Sequence, residues 1–139
     1  MKVSIAQQRS QRDMRFELTI PCEPSLLKVV RQALAAFAME LNMTMSMIED
    51  IKRAVTEACT NVIQHAYKGI GCSGTVHIAC WINGSNFIVE VSDKGVGMRS
   101  SEGLGIMIMR VLMDEVEIKV GKRGGTKVRM VKRIPIVED

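Results

Sequence analysis

No run of apolar residues in this 139-residue chain reaches the ~18 that a membrane-spanning helix needs. The N-terminal MKVSIAQQRSQRDMRFEL soon turns polar and lacks the apolar core of a secretory signal. Both absences predict a cytoplasmic protein with no membrane partner. Cysteine is sparse and poorly spaced for metal. Cys22, Cys59, Cys72 and Cys80 form no C-x-x-C pair, and His65 and His77 form no H-x-x-x-H pair. A zinc site needs four convergent ligands, so four reduced thiols are the expectation for a cytoplasmic chain. Aromatics are also scarce: one Trp, one Tyr and three Phe, scattered along the chain. A nucleic-acid binder gathers basic charge around exposed aromatic rings. Here the net charge is only +4, and its excess lies at the ends, in Lys2, Arg9, Arg12 and Arg15 and again from Lys119 to Arg133. Direct nucleic-acid binding is not expected, and the basic ends read as solvated edge strands that resist aggregation.

What remains is an ordinary globular composition, 47% apolar and 24% charged. The length suits one compact domain over 1–139, and such a chain buries roughly two-thirds of its unfolded surface without disulfides.

The hydrophobic period alternates along the chain. Phe16, Leu18 and Ile20 alternate with polar neighbours and predict a strand ended by Pro21. From Pro24 the period becomes helical, with Leu27, Val30, Leu34, Phe37, Ala38 and Leu41 on one stripe and Asn42 at the end. Ser46-Met-Ile-Glu49 has the form of a capping box. It opens a second helix, with Ile48, Ile51, Val55, Ala58 and Val62 on one face, running to about Tyr67. TVHIACWI and NFIVEVSD predict two strands joined at Asn83-Gly84. A third helix around Ile106, Met109 and Met113 is apolar almost all round and is expected to be buried. VEIKV and TKVRMVKRI close the chain as a hairpin. The order predicts an α+β, two-layer fold, its mostly antiparallel sheet carrying three helices on one face.

Four small motifs carry chemistry. Glu57, Asn61 and His65 recur at four-residue steps, which lines a carboxylate, an amide and an imidazole beside the apolar stripe of the second helix. A solvated helix face would look the same. Asp93-Lys-Gly95-Val-Gly97 follows a strand, where a carboxylate can accept from an amino group while the backbone passes close to a flat ligand. Asp and Gly also serve plain turns. Gly103-Leu-Gly105 opens the third helix, whose free amides and dipole favour phosphate. Gly124-Gly125-Thr126 starts the last strand, as a hairpin turn also would.

Taken in order, E-x-x-x-N, D-x-G-x-G, G-x-G and G-T resemble the nucleotide-binding boxes of the GHKL ATPases. TEACTNVIQHAY and GLGIMIMRVLMDEVEI look most like the anti-sigma-factor serine/threonine kinases of that superfamily, and the resemblance covers residues 14 to 134. It implies the two-layer Bergerat-type sandwich and a site for ATP or ADP with Mg²⁺. Asp93 would accept from the adenine amino group, with Gly95 and Gly97 shaping that pocket and Thr126 supporting it. Asn61 would ligate Mg²⁺, Glu57 would act as general base, and Gly103 and Gly105 would meet the phosphates. His65 would shape the helix end near the cleft. Arg31, on the first helix, would help contact protein partners. Those partners would be an alternative sigma factor and a STAS-domain anti-sigma-factor antagonist phosphorylated on Ser or Thr, and the protein would act as a homodimer.

One departure stands out. Between Gly97 and Gly103 there are only Met98, Arg99, Ser100, Ser101 and Glu102, where the family carries a much longer lid. Either the lid is lost or trimmed in this protein, or further residues belong there. Arg99 is the one basic side chain left in it to approach a phosphate. The short lid keeps a second class open: a non-catalytic, nucleotide-responsive module that holds partners without transferring phosphate. A detached histidine-kinase ATP domain is a third reading, disfavoured because too few residues precede the first predicted strand for a phosphoacceptor hairpin.

Overall fold

The computed structural model describes residues 1–6, 14–67, 74–96 and 103–135. Six strands and three helices follow one another as β1 (Lys2–Ala6), β2 (Arg15–Pro21), α1 (Leu27–Met39), α2 (Met45–Asn61), β3 (Thr75–Asn83), β4 (Asn86–Asp93), α3 (Leu104–Leu112), β5 (Glu115–Val120) and β6 (Thr126–Arg133). A 3₁₀ turn at Pro24–Leu26 leads into α1, and a π-helical segment, Val62–Ala66, extends α2. All strand pairs are antiparallel, in the order β1-β2-β3-β4-β6-β5. The expected α+β sandwich is therefore the observed one.

Strand alternation decides which side chains meet the helices. Phe16, Leu18 and Ile20 of β2, Val76, Ile78 and Cys80 of β3, Phe87, Val89 and Val91 of β4, and Val128 and Met130 of β6 are all buried. They join Val30, Leu34 and Phe37 of α1, Ile48, Ile51 and Val55 of α2, and Ile106 and Met109 of α3 in one core. Phe37 links the layers. Its ring lies 5.5 Å from Phe16 and 6.3 Å from Phe87, pairings worth about 0.5–1.5 kcal/mol each beyond burial. On the opposite face Trp81 is flanked by Arg15 at 4.4 Å and Arg129 at 5.8 Å from its centroid.

Several expectations need correction. A strand, β1, precedes the one read as first. It is only five residues long with its apolar Val3 and Ile5 still exposed, so it owes its form to pairing with β2. The cap of α2 is Thr44, not Ser46. Thr44 is extended (φ −69°, ψ 156°) and its hydroxyl accepts from Met47 N at 3.2 Å, whereas Ser46 already lies in the first turn. The hairpin turn is Gly84-Ser85, because Asn83 still pairs with Asn86. The basic strand β6 is not an edge: it lies between β4 and β5, and the edges are β1 and β5. Helix α3 is not buried all round. Ile106 and Met109 face the core, but Leu104 is 74% and Val111 84% exposed. Among the described residues Cys22, Cys59 and Cys80 are free, as expected, and burial pushes the Cys59 thiol up to about 12; Cys72 lies outside them.

The helical layer is tied to the sheet by one half-buried cation. Lys132 Nζ on β6 donates to Asp50 Oδ2 of α2 at 3.0 Å and to the Leu112 carbonyl at the end of α3. Its side chain is 15% exposed. Lys132→Met is expected to lower stability by about 1–3 kcal/mol, because a charge-assisted bond is lost and a carbonyl is left without its donor. The midpoint of urea unfolding at unchanged m-value measures it.

Candidate functional site

The side chains singled out on α2 lie at its C-terminal half. Glu57 and Asn61 are both half-buried, one turn apart, at the border of the apolar stripe. Their neighbour across the helix layer is Gly105. A Cβ on Gly105 would stand 3.1 Å from Glu57 Oε2 and 3.4 and 3.5 Å from Asn61 Nδ2 and Oδ1. The lack of a side chain there lets the first turn of α3 close onto both polar groups. His65 leaves the row. It falls in the π-helical segment, whose wider turn rotates the side chains beyond Asn61 off the α-helical register, and it is exposed.

Asp93 ends β4, paired with Thr126, the buried first residue of β6. Its Oδ1 accepts from Gly95 N at 2.8 Å, and the Thr126 backbone also donates to the carboxylate. Burial pushes the Asp93 pKa up, and these two backbone donors pull against that shift. Cys22, just past β2, has its own thiol pKa raised by burial and then by the charges of Asp93 and Glu23.

The turn after Asp93 is clamped from two sides. Gly125 N donates to the Gly95 carbonyl at 2.6 Å, and Val96 N donates to the Ala66 carbonyl at 2.6 Å. Gly95 is buried against that same Ala66 carbonyl, so that a Cβ would overlap it. Ala66 lies five residues beyond Asn61, at the end of the π-helical segment. Three chain segments therefore converge at the C-terminal end of α2: Glu57 and Asn61, the turn at 93–96, and Gly105 of α3.

Gly103, at φ 145°, is the N-cap residue of α3, and its carbonyl accepts from Met107 N. The open end of α3, with Gly103 exposed, thus faces away from the packed core beside Gly105. Gly97 and Arg99 lie outside the described residues. Arg31 is half-buried on α1, a separate element from those that converge here. A groove of about 640 Å³, bordered by Asn86, Arg110, Asp114 and Arg129, contains none of these groups and sits at the other end of β4. Sequence reasoning does not point to the Ala66 carbonyl and marks Tyr67 only as a helix end. Backbone acceptors leave no trace in sequence, and the sole signal for Tyr67 is that it is the chain's one tyrosine.

The donor set fits a hard cation held mainly by its ligand. Asn61 offers an amide oxygen one turn from the Glu57 carboxylate, and Mg²⁺ is usually bound through one or two protein oxygens plus phosphates and waters. Among the described residues no cluster of three or more His, Cys, Asp or Glu offers an all-protein cage. The partly buried Asp93 acceptor, beside a turn of close backbone contacts, fits the edge of an amino-bearing heterocycle.

The chain matches the model of the histidine kinase-like ATPase domain over residues 20–132. It is 34% identical to the anti-sigma F factor of Clostridium acetobutylicum, covering 90% of this chain and 97% of that one. It is equally similar, at 34%, to the serine-protein kinase RsbW of Bacillus pumilus, covering 84% of each. Among solved structures, the RsbU and RsbW domains of Rv1364c from Mycobacterium tuberculosis match with a TM-score of 0.69 at 26% identity, over 84% of this chain and 32% of that one. A histidine kinase domain from Erythrobacter litoralis shares the fold, with a TM-score of 0.59 at 22% identity over 83% of this chain and 62% of its own. With the matched model spanning most of its length and these relatives beside it, the chain belongs to the histidine kinase-like (GHKL) ATPase family, in the branch of the anti-sigma-factor serine kinases.

Proposed function

We propose that this protein is a cytoplasmic anti-sigma factor that binds Mg-ATP and phosphorylates a serine or threonine of a STAS-domain antagonist. In this reading it acts as a homodimer that holds an alternative sigma factor, and Arg31 of α1 contributes to partner contacts. The observation that carries it is the packing of Gly105 onto both Glu57 and Asn61. That packing brings a candidate base, a candidate metal-binding oxygen and the start of a helix to one place.

Asp93 reads the adenine amino group, its orientation held by the Gly95 amide, while Thr126 supports the carboxylate from β6. Gly97 extends the same turn, and the amides at Gly103 and Gly105 meet the phosphates. Asn61 holds Mg²⁺ through its amide oxygen. When bound, the ion neutralises charge developing on the phosphates. Glu57 takes the proton of the attacking hydroxyl as the new oxygen–phosphorus bond forms and ADP departs. Arg99 is the cation left in the lid to approach the phosphates.

A second reading keeps the nucleotide site and omits the transfer. The alignment with the Clostridium acetobutylicum protein runs over 141 positions, more than this chain contributes at 90% of 139 residues. That relative therefore carries residues with no counterpart here. We assign them to the lid, where only five residues separate Gly97 from Gly103. A reduced lid excludes water poorly, which favours a nucleotide-responsive binding module.

The two readings separate when the protein is incubated with labelled ATP, Mg²⁺ and a STAS-domain partner. Label on the partner supports the kinase, and tight ATP binding without transfer supports the module. Asp93→Asn tests the pocket itself. The carboxylate accepts, whereas one edge of an asparagine donates, so ATP binding is expected to weaken by about 1–3 kcal/mol. Stability is not expected to fall with it. The raised pKa of Asp93 means that the folded chain holds this proton more tightly than the unfolded chain does, so the ionised carboxylate costs stability as pH rises through that pKa. Calorimetric ATP affinity equal to wild type would contradict the assignment of Asp93.

A further inference from the structure

Beyond the residues assigned above, we propose that the hydroxyl of Tyr67 is a positioning group that sets the purine-reading turn, by standing in for a missing rung of the sheet. The inference rests on the nucleotide reading of the site. Strands β3 and β4 pair down to His77 opposite Ser92, and the ladder stops there. Continuing that register by two residues sets Thr75 opposite Lys94. These two residues are joined instead through a side chain: Tyr67 Oη accepts from Lys94 N at 3.1 Å and donates to the Thr75 carbonyl at 2.6 Å. One hydroxyl occupies the place of a direct N–H···O=C bond and holds the two strand ends apart.

The ring is fixed from behind. Tyr67 closes the π-helical segment, its own N–H donating to the His65 carbonyl. Its face lies against Gly74, where a Cβ would overlap Cζ and both Cε atoms. The hydroxyl thereby ties the end of the α2 helix to the start of β3 and to Lys94, which sits between Asp93 and Gly95. Without it, the Lys94 amide and the Thr75 carbonyl can meet directly, drawing the turn toward β3 and swinging the Asp93 carboxylate off its target. The glycine-rich backbone that meets the phosphates belongs to α3 and is not touched by this change.

That division sets the test. An acceptor at Asp93 favours the amino group of adenine over the carbonyl of guanine, so the ratio of ATP to GTP affinity reports its aim. In calorimetric titrations with Mg²⁺, Tyr67→Phe is expected to weaken ATP binding about tenfold, to change GTP binding less than about twofold, and to leave the melting temperature within a few degrees. Gly74→Ala, which keeps the hydroxyl but displaces the ring, is expected to erode the same ratio. Wild-type ATP affinity and ATP/GTP ratio in both variants would overturn the role of Tyr67 while leaving the nucleotide site intact. Equal losses for ATP and GTP together with a lowered melting temperature would also overturn it, in favour of a purely structural tyrosine. Failure of the wild-type protein to bind ATP would instead overturn the nucleotide reading itself.

Discussion

Gly95→Ala is expected to reduce ATP affinity by more than about a hundredfold, close to 3 kcal/mol at 1.4 kcal/mol per decade. The added methyl would overlap the Ala66 carbonyl, and neither partner can yield cheaply. That carbonyl already accepts from Val96 N, and the Gly95 carbonyl accepts from Gly125 N, both at 2.6 Å. Relief requires the whole turn to move away from α2, and Asp93, whose carboxylate is held by the Gly95 amide, moves with it. Overpacking of this kind also costs about 1–3 kcal/mol of stability. Calorimetry and urea unfolding read the two effects separately. Undiminished ATP binding in a folded Gly95→Ala protein would place the turn outside the site.

The second large effect is catalytic. Glu57→Gln keeps the volume and the contact toward Gly105 but removes the proposed base. Phosphoryl transfer to a STAS-domain partner is expected to fall by about 10²–10⁴-fold, the usual share of general base catalysis. Mg-ATP affinity is expected to stay within about twofold, since an interaction made only in the transition state leaves ground-state binding alone. Single-turnover transfer of labelled phosphate measures it. Transfer at the wild-type rate would remove Glu57 from the chemistry, whatever its place beside Asn61.

Much of this protein is legible in its sequence. The half-buried Glu57 and Asn61 lie where a four-residue spacing beside an apolar stripe puts them, because helical periodicity is a local property of the chain. Asp93 ends its strand and Thr126 begins one, as alternation and glycine punctuation indicate. Four-residue spacing puts His65 on that row too, but a π-turn changes the period without any mark in residue type and takes it off. Hydropathy alone makes α3 a buried helix, because it describes a side chain and not what covers it; Leu104, Met107 and Val111 remain exposed.

By itself, then, the chain determined its strands and helices other than β1, the faces that α1 and α2 bury and the kinds of chemical group offered at each box. Those follow from interactions between residues close in sequence. Only the tertiary structure decided that β6 inserts between β4 and β5, that β1 forms at all, and that Gly105 meets Glu57 across the helix layer. The same holds for the tyrosine hydroxyl that replaces a strand-to-strand bond. Each of these depends on pairing between segments far apart in the chain, whose energies are collected only when the whole core closes.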